Sequence, residues 1–120
     1  MYAFPTQTEA EALGALDFVR GLFAENLVQS AFWHRFALTV HSPVAKDPDA
    51  FGIEVCEPPP APVRPKGTGV FARNELAFIE PHAPDWEHIG NVLRVALYNF
   101  QQGRGLDKPS SYWKRRVRRV

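Results

Sequence analysis

Cysteine is nearly absent from this 120-residue chain, since Cys56 is its only one. That excludes a disulfide within the chain, a usage that fits a reducing compartment. The same scarcity excludes an iron–sulfur cluster held by this chain alone, which takes several thiolates, and a cysteine-rich structural zinc site with four ligands. No stretch approaches the roughly 20 apolar residues of a membrane-spanning helix, so no membrane partner is expected. The opening Met1-Tyr2-Ala3-Phe4-Pro5 has neither a basic n-region nor a long apolar run. No secretory signal is read there, and a cytoplasmic location is expected. Internal repeats are missing too. Gly67-Thr68-Gly69 is too short for a dinucleotide fingerprint and follows prolines rather than a strand. His41-Ser42 has no G-x-S-x-G elbow beside it, and adjacency in sequence does not make a triad.

What is present reads as globular. Hydrophobic residues make up 45% and charged residues 22%, and the length fits one domain spanning residues 1–120. Charge is uneven. Lys114, Arg115, Arg116, Arg118 and Arg119 carry +5, and the total of +1 leaves −4 for the rest.

The pattern along the chain predicts an α+β fold: a small antiparallel sheet of three or four strands, flanked by an N-terminal and a C-terminal helix. Thr6 stands three residues before Glu9, and Thr8 three before Glu11, giving two overlapping capping-box starts. Leu13, Leu16, Val19, Leu22 and Phe23 then recur at helical spacing, with Asp17, Arg20 and Glu25 opposite, so a helix is expected over about 8–24. The sheet is expected over about 31–80. Its first strand lies within Gln29–His41, ended by Ser42-Pro43; a turn follows at 46–49, a second strand at 51–55, and extended pieces at 70–73 and 76–79. Five prolines mark 57–69 as a loop, in part polyproline-like. Pro84-Asp85 opens a second helix over about 85–102, with Trp86, Ile89, Val92, Leu93, Ala96, Leu97 and Phe100 as its apolar stripe. Gly103 or Gly105 caps it, and a basic tail occupies 114–120.

Chemistry is thinly distributed. His34 and His41 are seven apart, on opposite faces of a regular strand, and His82 and His88 are six apart, off the one-face spacing of a helix. Structural histidines are the expected reading, with no metal site. The Trp33 to Pro43 run concentrates aromatic, cationic and imidazole side chains that suit an anionic or hydrogen-bonding ligand, or else form a core strand with satisfied tips. Arg73-Asn74-Glu75 is a polar triplet that lines a cleft or forms a solvated turn. Tyr112, Trp113, Lys114, Arg115 and Arg116 combine stacking rings with cations, the ingredients of a nucleic-acid or acidic-partner surface. No recognised nucleic-acid module accompanies them, so this stands as the alternative.

Three blocks resemble a known family. Gln29-Ser30-Ala31-Phe32-Trp33-His34-Arg35-Phe36-Ala37-Leu38-Thr39 with His41-Ser42-Pro43, then Phe71-Ala72-Arg73-Asn74-Glu75-Leu76-Ala77-Phe78, then Leu97-Tyr98-Asn99-Phe100 with Gly103 and Gly105-Leu106-Asp107, are similar in order and spacing to the C-terminal region of radical SAM iron–sulfur oxidoreductase-like proteins. Many of those proteins also bind cobalamin. The resemblance covers roughly Thr8 to Trp113. It implies a parent protein with a four-iron cluster, S-adenosylmethionine and, in many members, cobalamin. The CxxxCxxC motif that holds the cluster is absent here, so no cofactor and no catalytic residue is carried over to this chain. The implied role is an accessory portion that shapes a substrate pocket or mediates assembly with the radical SAM portion of the same or a partner chain. Arg35, His41 and Arg73 are the residues with the chemistry to touch substrate.

Overall fold

A computed structural model describes residues 1–56 and 75–119. The expected proline-rich loop at 57–69, the extended piece at 70–73 and Arg73 lie outside the described residues. The chain divides into two compact units, one formed by Met1–Phe36 with Pro84–Val120, the other by Ala37–Ala83.

The first unit is built on three helices. Helix α1 spans Glu9–Ala24, and the second of the two overlapping starts is the one used. The Thr8 hydroxyl accepts the Glu11 N–H at 3.1 Å, and the Glu11 carboxylate accepts the Thr8 N–H at 3.0 Å. Helix α3 spans Trp86–Gln101, with the Asp85 carboxylate accepting the His88 N–H at its start. All seven residues of its expected stripe are buried. They pack with Ala12, Leu16 and Phe23 of α1 and with Tyr2 and Trp113 in one core. Phe23 and Phe100 approach at 6.3 Å. The two helices therefore bring their C-terminal ends together.

A third helix, α4, spans Ser110–Arg116, where the sequence reading places no element before the basic tail. Two side chains of α1 fasten its start. Asp17 accepts both the Ser110 N–H (2.9 Å) and the Ser110 hydroxyl (2.8 Å), and Arg20 donates to the Leu106 carbonyl at 3.1 Å. Asp17 and Arg20, expected on the wet side of α1, are thus half-buried anchors. The Lys114 ammonium lies 2.7 Å from Glu9, so α4 runs antiparallel to α1.

The segment before α1 is tied down as well. Tyr2 donates its N–H to the His34 carbonyl and accepts the Phe36 N–H, each at 2.8 Å, as a parallel bridge opposite Arg35. The N-terminal half of the expected first strand is accordingly an extended segment bridged to Tyr2 rather than part of a ladder.

The second unit holds the strands β1 (Leu38–Thr39), β2 (Glu54–Val55), β3 (Glu75–Leu76) and β4 (Phe78–Ile79), the one-turn helix α2 (Pro43–Lys46) and a 3₁₀ turn over Pro48–Phe51. The α+β class holds, but the sheet of three or four strands is corrected to two antiparallel two-stranded sheets, β1 with β3 and β2 with β4. Leu38 faces Leu76 in one, and Val55 faces Phe78 in the other. The reason is local. Residues 75–79 change partner at Ala77, whose carbonyl accepts the Cys56 N–H at 2.9 Å. Pro43 and Pro48 each start a helical turn, and proline's fixed φ and missing donor favour that over a ladder position. Ser42 then caps α2 by accepting the Ala45 N–H, instead of merely ending a strand. Leu38, Val44 and Ile53 are buried. Among the described residues, no helix is long and apolar enough to cross a membrane.

Candidate functional site

The residues singled out in the sequence fall in different units. Arg35 is exposed in the first unit and His41 is exposed in the second. Among the described residues, neither side chain has a hydrogen bond or ion pair. The histidine pairs divide in the same way, His34 and His88 in the first unit, His41 and His82 in the second. His88 is buried, and its Nδ1 has no hydrogen-bond partner among the described residues. His34 is exposed and meets the Phe32 ring edge-on at 4.5 Å. No group of three His, Cys, Asp or Glu side chains converges among the described residues.

The C-terminal set is reorganised by α4. Trp113 is 5% exposed and packs edge-on against Phe100 at 5.8 Å. Its ring is core, not a stacking platform. Lys114 is occupied by Glu9, and Arg119 lies 3.9 Å from Asp85. Arg115, Arg116 and Arg118 are exposed and have no ion pair among the described residues.

Two concavities of the first unit gather functional side chains. The larger, about 440 Å³, opens between the C-terminal half of α3, the 102–109 connection and α4. Arg104, Lys108 and Arg116 line it with Asn99, Tyr112 and Trp113. Lys108 stands 5.4 Å above the Tyr112 ring and 3.8 Å from the Asp107 carboxylate. The connection is fixed by its hydrogen bonds. Gly103, at φ 72°, donates to the Phe100 carbonyl and Arg104 to the Asn99 carbonyl at 2.8 Å. This is the Schellman ending, which fixes the backbone of Arg104 three residues beyond the end of α3.

The smaller concavity, about 210 Å³, is an aromatic groove between the 31–33 segment and α3. Phe32 and Tyr98 line it at 74% and 63% exposure, with Trp33 and Leu97. Gln101 secures the segment by donating to the Ala31 carbonyl at 2.8 Å.

Sequence reasoning missed Arg104 and Lys108 because Gln102-Gly103-Arg104-Gly105 reads as a helix cap and nothing more. The available signal was a cap whose intervening residue is cationic, followed within ten residues by an aromatic pair. Phe32 and Tyr98 were visible only as strand and helix positions, since no periodicity announces that two such side chains share a groove. No protein-family model, no curated protein and no solved structure matches this chain.

Proposed function

We propose that this chain is a non-catalytic accessory domain of a cytoplasmic radical SAM iron–sulfur protein, and that it docks on the radical SAM portion through the Phe32–Tyr98 groove. The groove carries the reading. Its walls come from two of the three blocks that resemble that family, Ala31–Trp33 from the first and Leu97–Tyr98 from the third. Large rings left in water beside one another are what an unfilled protein interface presents. The lone Cys56 cannot supply a three-cysteine cluster motif, so the cluster and S-adenosylmethionine belong to the portion this domain docks on. The competing reading, a nucleic-acid or acidic-partner surface on Tyr112 to Arg116, has Trp113 in the core and Lys114 paired.

The test is anaerobic capture of the native cellular product with an antibody to this chain. The expected product is larger than 13.5 kDa, or carries a co-captured partner, and shows broad iron–sulfur absorbance. Where the cluster comes with a co-captured partner, Phe32→Asp lowers the recovered absorbance per mole of antigen, whereas Phe18→Asp, exposed but outside the groove, leaves it unchanged. A colourless product of the chain's own mass, with nothing bound, overturns the proposal.

A further inference from the structure

The cationic concavity between α3 and α4 is separate from the docking groove, and its chemistry is different. We infer that it binds a phosphate monoester of nucleotide size.

Three observations converge on this. First, charge: Arg104, Lys108 and Arg116 face one space with a single carboxylate, Asp107, among its lining residues, so the cavity is net cationic. Arg104 and Arg116 have no ion pair among the described residues. Two uncommitted guanidinium forks match the tetrahedral oxygens of a phosphate, which accepts paired hydrogen bonds from each. Second, shape: about 440 Å³ lies within the range of small-molecule sites and exceeds what a bare phosphate fills. The remaining space is walled by Tyr112, with Trp113 behind it at 5.0 Å, a surface suited to a flat ring. Asn99 donates its amide N–H to the Val95 carbonyl at 2.8 Å. Its Oδ1 accepts from no group among the described residues, which leaves an acceptor for a ring amine.

Third, the site is preformed. The Schellman ending sets Arg104. Gly105, at φ 69°, lies so close to the Trp113 ring that a β-carbon there would collide with it. The Lys108 N–H donates to the Gly105 carbonyl at 3.0 Å, closing the turn that carries the third cation. The backbone that carries Arg104 and Lys108 needs no rearrangement on binding, which leaves the side chains as the groups to be ordered.

The experiment is calorimetric titration of the full chain with adenosine 5′-monophosphate, with adenosine and inorganic phosphate as separate arms. Saturable one-to-one binding of the monophosphate is expected, with inorganic phosphate competing and adenosine binding much more weakly. Arg104→Ala and Arg116→Ala each weaken the monophosphate roughly tenfold or more, the usual consequence of losing charged hydrogen bonds. Arg118→Ala, an equally exposed cation outside the cavity lining, leaves affinity unchanged. Equal losses from all three substitutions, equal binding of adenosine, or no saturable binding overturns the inference. So does a single-stranded oligonucleotide that binds far more tightly than the monophosphate and depends on Arg118, which would place a polynucleotide on the helix surface instead. None of these outcomes depends on an iron–sulfur partner, so the result stands apart from the docking proposal.

Discussion

A β-carbon at Gly105 has two obstacles, a left-handed backbone and the six-membered ring of Trp113. Gly14 has neither; it sits exposed on α1 with nothing within 4 Å of where a side chain would start. The two positions therefore respond to alanine with opposite signs. Gly105→Ala lowers unfolding free energy by about 2–4 kcal/mol, combining left-handed strain with overpacking. Gly14→Ala raises it by about 0.5–1 kcal/mol through helix propensity. Urea titration followed through the transition midpoint reads both. The sequence marked Gly105 as a candidate helix cap and passed over Gly14. It could not show that the actual cap is Gly103, or that Gly105 is needed for contact with a ring eight residues away. A close approach between residues on different elements leaves no periodic trace.

Helices were legible in this chain because each writes its own pattern. The seven-residue stripe of α3 and the Thr8–Glu11 box of α1 are local facts, and the structure reproduces both. Helix α4 was not legible. It is seven residues long, too short to show a stripe and too short to persist on its own. It is held in place by Asp17, 93 residues earlier in the chain. Asp17→Ala removes two hydrogen bonds at once and leaves the first turn of α4 without a cap. A loss of about 1–2 kcal/mol follows. Amide exchange of Tyr112 to Arg116 accelerates while that of α3 is unchanged, and this contrast checks that the damage is local. The strands were over-read for the opposite reason. Aromatic and β-branched residues favour extended backbone, but whether an extended segment finds a ladder partner depends on residues elsewhere. Tyr2 took the partner role for 34–36, and the 75–79 segment divided its pairing between two short strands.

At the scale of the whole molecule the two units differ in what holds them. The helical unit has thirteen residues in its buried apolar cluster. Among the described residues, the unit spanning Ala37–Ala83 contributes Leu38, Val44 and Ile53 to the buried apolar residues, with strands of two residues each. Local opening free energy follows buried contact and ladder length. Hydrogen exchange at Val92, Leu93 and Ala96 is expected to fall in the slowest class of the molecule, with Leu38, Ile53 and Cys56 exchanging sooner. Uniform protection across both units would refute this. The sequence could not foresee such unevenness, because its apolar content of 45% is an average over both.

The division has a spectroscopic consequence. Tyr2, Trp33, Trp86, Tyr98, Tyr112 and Trp113 are all the tyrosines and tryptophans of the chain, and every one lies in the helical unit. Tyrosine and tryptophan absorbance and fluorescence therefore originate wholly in the helical unit, and the aromatic rings of Ala37–Ala83 are phenylalanines. The lone thiol, Cys56, lies in the other unit. A single maleimide dye would light it specifically, giving one molecule two optical channels with no engineered residue.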